Sequence, residues 1–304
     1  MNPIYTEHCG LGEAEIRQNN SKLTEIFSLY LNLMPNAIDA DMIKELSQGC
    51  HISPAEAYAQ YLAAMAGLDA GGKDRLFFRY WLLPAIHELD RAAYTGDAYF
   101  KNIKIPRRSL GKWELKEERL RPLEAFVCGD FVVTEDRRMI PQIGFFHEEY
   151  PFPAVLENGR EWMTLLPNEI ATTAHAIRAA HGRVVTFGLG LGYFAFHAAE
   201  KESVESVTVV DLSPQVIELF GTHILPQFPH KEKIKLVCEN AFTFADTKLG
   251  GSFDFVFADI WHDAGDGKEL YLRMKAYEKK HPEIDFTYWL EDTIKCYLDK
   301  SLWQ

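Results

Sequence analysis

Three glycines at alternate positions, Gly188, Gly190 and Gly192, interrupt the apolar stretch "VVTFGLGLGYFAFHAAE" at residues 184–200. A backbone without Cβ atoms can reverse tightly and can let a ligand lie against the main chain. A turn alone needs one or two such residues, so three point to close approach. Other apolar runs stop at polar groups. "VTVVDLSP" ends in Asp211, a carboxylate able to accept hydrogen bonds from both hydroxyls of a ribose and to repel a phosphorylated one. "KLVCENAFTF" offers Asn240, whose amide donates and accepts toward an adenine edge, with Phe242 beside it for stacking. "FDFVFADIWHD" breaks into Asp259, Trp261, His262 and Asp263. Asp259 and His262 are candidate bases for a protonated nucleophile, and Trp261 could stack on a flat substrate or face a cation.

These residues need strand ends to carry them. Val184–Phe187 reads as a short β-branched strand and Tyr193–Glu200 as a helix, so the glycines occupy a strand-to-helix turn. From Gly182 onward strands and helices alternate: "RVVTF", "VESVTVV", "KIKLV", "FDFVFADI" and "IDFTYW" are the strands, with a helix from Ser213 and another near 267–280. Ser213 with Pro214 is the better cap for its helix, which frees Asp211 for another task. The expectation is an α/β fold with a doubly wound, mostly parallel sheet, whose ligands bind beyond the carboxyl ends of the strands.

Upstream, helices are expected near 13–33, 39–48, 54–66 and 74–94, the third announced by Ser53, Pro54 and Glu56. From about 123 the period becomes strand-like, and Asn158-Gly159 between apolar runs signals a hairpin. The expected partition is a helical domain over 1–122, a small antiparallel element over 123–166 and a Rossmann-like domain over 167–304. The formal charge of −12 argues against a sequence-independent nucleic-acid partner, whose binding rests on phosphate neutralisation. The basic stretch "KNIKIPRRSLGKWELKEERLR" at 101–121 reads first as a solvated linker and helix face. Five scattered cysteines without metal or redox spacing, no secretory pattern and no bilayer-length apolar run lead to the expectation of a reduced, cytoplasmic protein.

A dinucleotide fingerprint is GxGxxG, whereas this loop is GxGxG followed by the bulky Tyr193-Phe194, which makes a nicotinamide oxidoreductase the lesser reading. Residues 183–263 resemble the class I S-adenosylmethionine-dependent methyltransferase superfamily. The resemblance implies that Gly188, Gly190 and Gly192 lie beneath the methionine part of S-adenosylmethionine, that Asp211 binds ribose and Asn240 addresses adenine, and that Asp259 borders the transferred group. Tyr193, Leu212 and Ala241 complete the implied cofactor contacts, and Asp259, Trp261 and His262 the catalytic set, acting on a small-molecule acceptor. Ordinary members often carry an acid where this chain has Thr186, and an acid where it has Asn240. Spermidine synthases also lack the first acid, and "VLENGREWMTLLPNEI" is similar to their strand-turn-strand entry, but their paired acid after strand four is absent here. An aminopropyltransferase-like enzyme and an inactive cofactor-binding or interaction protein therefore remain alternatives. After "IDFTYW" only a short tail follows, so the sheet is expected to stop short, its edge covered by the amino-terminal region or by another copy in a homo-oligomer. Glu291 and Asp292 read as first-turn helix acids, and no metal is assigned.

Overall fold

The computed structural model describes residues 3–302 and falls into two compact units. Of the described residues, one comprises 3–91, 119–150 and 295–302, the other Ala92–Glu118 and Pro151–Ile294. In chain order the first elements are α1 (Glu13–Leu33), α2 (Ala40–Cys50), α3 (Pro54–Met65), a single turn α4 (Arg75–Phe77), β1 (Ile86–Glu88), α5 (Arg91–Thr95) and α6 (Ala98–Asn102). Strands β2 (Arg108–Leu110), β3 (Trp113–Leu120), β4 (Phe126–Val133), β5 (Met139–Phe145), β6 (Tyr150–Glu157) and β7 (Arg160–Thr164) follow. The remainder alternates: α7 (Pro167–Ala179), β8 (Gly182–Phe187), α8 (Tyr193–Glu200), β9 (Val204–Asp211), α9 (Pro214–His223), β10 (Ile234–Cys238), α10 (Ala241–Lys248), β11 (Phe255–Ala258), α11 (Gly267–Lys280), β12 (Asp285–Tyr288) and α12 (Glu291–Leu298).

In the first unit, α1 buries Ile16, Asn20, Leu23, Phe27 and Tyr30, a stripe at helical spacing. The helix expected over 74–94 does not run through. Pro84 lacks an N–H, the chain passes through a π turn (Phe78–Leu82) and a 3-10 turn (Leu83–Ala85), and Ile86–Glu88 then pairs in parallel with β5. The sheet order is β1-β5-β4. Every residue of β5 is buried, so the strand needs cover on both faces, and this is why β4 and β5 belong with the helices. The expected antiparallel element over 123–166 is accordingly divided, β4 and β5 in one unit and most of β6 and β7 in the other. The partition at 122 and 166 is replaced by these discontinuous units.

A polar hub ties the first unit together. Asn20 is fully buried; its Nδ2 donates to the carbonyls of Arg137 (3.0 Å) and Leu302 (3.3 Å), and its Oδ1 accepts from Trp81 Nε1 and the Met139 N–H, both at 2.9 Å.

The second unit carries the five-stranded parallel sheet in the order β10-β9-β8-β11-β12, as the doubly wound expectation requires. Helices alternate with its strands, and among the described residues the sheet ends at β12. A second sheet, β2-β3-β6-β7, contains the expected hairpin: Asn158 and Gly159 have φ of 51° and 78°, the left-handed pair that a two-residue turn needs. The basic stretch at 101–121 forms β2 and β3 instead of a helix face, with Arg107 paired to Glu114 and Lys112 to Glu157. No helix among the described residues is long and apolar enough to cross a membrane.

Asn20→Ala should lower the unfolding free energy by about 3 kcal/mol, because several buried partners lose their hydrogen bonds at once. Urea unfolding of the whole chain measures it; a change below about 1 kcal/mol would show that the hub contributes little.

Candidate functional site

The glycine loop sits at the carboxyl end of the central strand β8, where β9 leaves on one side and β11 on the other. Its alternation now has a physical cause. Leu189 and Leu191 are buried, while the glycine before each takes left-handed backbone, with φ of 97° at Gly188 and 49° at Gly190. A Cβ on Gly188 would lie 1.8 Å from the carbonyl oxygen of Asp259, so strands β8 and β11 could not end this close together with any other residue there. A Cβ on Gly190 would lie 1.9 Å from Sδ of Met163. Gly192 is the N-cap of α8.

The main chain binds the strand ends to one another. The N–H of Gly188 donates to Val210 (2.9 Å) and that of Asp259 to Phe187 (2.8 Å). Asp211 joins the loop directly: its Oδ2 accepts from the N–H of Leu189 at 3.1 Å and its Oδ1 from that of Ser213 at 2.8 Å. Ser213 caps α9, as the sequence implies. A carboxylate has about four lone-pair sites, so these two bonds leave Asp211 able to accept further donors.

Beneath the loop lies a cavity of about 20 Å³, room for one water-sized group. Its lining includes Met163, Glu169, Thr173, Thr186, Tyr193 and Asp259. No Lys, Arg or His is among the lining residues. Burial, then the neighbouring charge of Asp211, pushes the Asp259 carboxyl up to about 7. Glu169 is raised well above the usual carboxylate range by burial and by Asp259, and Asp211 is raised by burial against the pull of its N–H donors. Three acids thus share one turn without a base beside them.

Met163 closes this arrangement from β7. Its Sδ accepts the N–H of Leu191 at 3.0 Å, so a thioether of the chain itself rests on the glycine loop. Trp162, the preceding residue, points to the other face of the strand and is half-exposed.

The structure sorts the residues singled out in the sequence. Gly188, Gly192, Tyr193 and Asp259 line the cavity, Gly190 meets Met163, and Asp211 braces the loop. Trp261 does not stack on anything outside the core: it is buried against Tyr271 and Gly267, with its Nε1 unpaired. His262 is not among the lining residues; its Nε2 is 3.3 Å from the Glu161 carbonyl and its ring 5.7 Å from that of Trp162. Phe242 is buried with the Arg273 guanidinium 3.7 Å over its ring, which removes it as a stacking platform. Asn240 spends its Oδ1 on capping α10, accepting from Phe242 and Thr243, and is itself exposed. Leu212 is exposed beyond β9 and Ala241 is half-buried. Glu291 and Asp292 open α12, Glu291 accepting from the Tyr271 hydroxyl at 2.8 Å.

Glu169 and Met163 were not singled out. For Glu169 a signal exists: α7 buries Glu169, Thr173 and Ala176 at helical spacing, so an acid stands on the inward stripe of an amphipathic helix. Nothing local marks Met163, which reaches the loop only through the β6–β7 hairpin.

No family model and no curated protein matches the chain. Among solved structures it is similar to a "putative O-methyltransferase" from Klebsiella pneumoniae, at 17% identity over 33% of this chain and 44% of that one, with a TM-score of 0.25. It is also similar to the methyltransferase domain of bacterial CtHen1-C, at 21% identity over 40% and 57% of the two chains, with a TM-score of 0.27. The chain spans about half the length of these structures. Likeness this partial leaves the assignment to the chemistry of the site.

The raised acids make a signed prediction. Between about pH 4 and the value near 7 of Asp259, the folded chain retains protons that the unfolded chain has released, so stability falls as pH rises through that window. Asp259→Asn removes one acid and relieves the other. It should match the wild type near pH 4 and exceed it by on the order of 2 kcal/mol at pH 8, in paired thermal or urea unfolding. Parallel pH profiles would show that the acids are not strained.

Proposed function

We propose that the chain binds S-adenosylmethionine at the glycine loop and transfers its methyl group to a small-molecule acceptor. The observation that carries this reading is the acid-lined cavity with no basic residue under a strand-to-helix turn. Such a turn otherwise suits a pyrophosphate, through its N–H groups and helix terminus. Here the carboxyls of Glu169, Asp259 and Asp211 offer acceptors and no cation, which disfavours a phosphate dianion and favours a cationic ligand. A nicotinamide cofactor is disfavoured by the same carboxyls, and so is a polyanionic acceptor.

The residues present fit the cofactor. Asp211 retains acceptor capacity for ribose hydroxyls at the end of β9, and Gly190 leaves the loop bare beneath the movable Met163. Met163 must swing away to admit the ligand, and an unbranched thioether with three rotatable bonds is suited to that movement. The bound cofactor supplies an electrophilic methyl on a sulfonium. The chain then has to hold the acceptor in line with that methyl, which alone is worth a large effective concentration. It also has to receive the proton of an oxygen or nitrogen nucleophile. Asp259, buried and poised at about 7, is suited to hold that proton at its carboxylate.

Calorimetric titration with S-adenosylmethionine, S-adenosylhomocysteine, the decarboxylated cofactor and NAD tests the reading. Binding of the sulfur nucleosides and none of NAD is expected, without magnesium; tight NAD binding with neither sulfur compound overturns it. Asp211→Ala should weaken binding by about 1 to 3 kcal/mol. Once an acceptor is found, Asp259→Asn should lower turnover by about 10²-fold or more. Met163→Ala should tighten S-adenosylhomocysteine binding several-fold, since the ligand no longer displaces a side chain; weaker binding would mean that the thioether is part of the bound site.

A further inference from the structure

Everything polar that faces the cavity under the loop is an acid or a hydroxyl. Glu169 enters from α7, nine-tenths buried, with no hydrogen-bond donor to its carboxylate among the described residues. Asp259 enters after β11, Thr173 from α7, Thr186 from β8 and Tyr193 from α8, while Asp211 stands at the end of β9. The Tyr193 hydroxyl is turned to Asp97, at 3.1 Å, and Met163 covers the loop with a thioether. A buried carboxylate without a donor either holds a proton or awaits a cation.

Size selects the cation. The void of about 20 Å³ takes one group of water's dimensions. A primary ammonium has that size, carries three donors and accepts nothing. A sulfonium carries three carbon substituents and does not enter.

We propose that Glu169 and Asp259, which line the same water-sized cavity, form the seat of a primary ammonium group of the ligand. The inference rests on the cofactor reading above. The ammonium belongs either to the amino-acid end of the cofactor or to an amine of the acceptor, and in both cases its hydrogen bonds go to Glu169, Asp259 and a threonine hydroxyl. Pairing Glu169 with a cation also leaves Asp259 ionised at neutral pH. Burial raises both acids, so an ammonium arriving between them displaces a proton to solvent.

The test compares wild type and Glu169→Gln by calorimetry, using S-adenosylhomocysteine, which has the ammonium, and 5′-methylthioadenosine, which lacks it. Putrescine is then titrated into protein saturated with 5′-methylthioadenosine. Each titration is repeated in two buffers of different ionisation enthalpy, which counts the protons released. For an ammonium from the cofactor, Glu169→Gln binds S-adenosylhomocysteine at least tenfold more weakly and 5′-methylthioadenosine equally, and the wild type releases protons only with the former. For an ammonium from the acceptor, both nucleosides bind the two proteins equally, and proton-releasing putrescine binding is lost in Glu169→Gln. Binding of both nucleosides by the wild type with no proton release in any titration overturns the proposal, leaves the cofactor reading standing and depends on no variant. Failure of both nucleosides to bind the wild type overturns the two together.

Discussion

Carboxyl groups collected at one turn without a counter-ion are the constraint around which the second unit is arranged. The close ending of β8 and β11 makes it unavoidable. Because Gly188 has no Cβ, the carbonyl of Asp259 comes up against the loop, and the Asp259 side chain is carried into the space beneath it. Asp211 arrives from the other neighbour of β8 by the same parallel registration, which pairs Phe187 with Val210 and with Ala258. Backbone N–H groups satisfy Asp211, but none of the described hydrogen bonds reaches Glu169. The chain tolerates this with a water-sized cavity in which burial raises Glu169 and Asp259, a strain that a cationic ligand relieves.

Much of this arrangement was legible from the residues because it is local. Strand-to-helix alternation after Gly182, the cap at Ser213 and the Asn158-Gly159 turn each depend on neighbours a few positions away, and each stands where the sequence implies. The glycine alternation and Asp211 were legible for the same reason. What escaped depends on contacts distant in sequence. Trp261 follows a strand end as a substrate-stacking residue would, yet the start of α11 folds back with Gly267 against its indole and buries it. Phe242 has the right chemistry for stacking on adenine, but Arg273 of α11 covers its ring and the core buries it.

The antiparallel strands illustrate the same limit on a larger scale. Their alternation is continuous from 123 to 166, so nothing in the pattern separates β4 and β5 from β6 and β7. The separation comes from burial: β5 is apolar and enclosed throughout, and only the helices of the first unit supply enough surface to enclose it. A chain that leaves one unit after Arg91, returns at Arg119 and leaves again after Tyr150 has boundaries that no change of composition marks.

Met163 joins these themes. It belongs to a hairpin whose existence was plain and whose destination was not, and it brings a weak, polarisable acceptor to the Leu191 N–H on the bare loop. A stronger acceptor such as a carboxylate would bind that N–H more tightly but would add a fourth acid to three that have no basic partner. An aliphatic side chain would leave the N–H unpaired and costly. A thioether satisfies the N–H without charge and gives it up at small cost, since its hydrogen bond is weak and its rotamers are many. The electrostatics of the acids therefore dictate not only what the loop can receive but also what the chain can keep there in the ligand's absence. Met163→Leu should therefore close the loop as well as methionine does yet destabilise the chain, because volume is kept while the acceptor for the Leu191 N–H is lost. A loss of about 1 kcal/mol in urea unfolding would bear this out, and no change would show that the Leu191 N–H finds water instead.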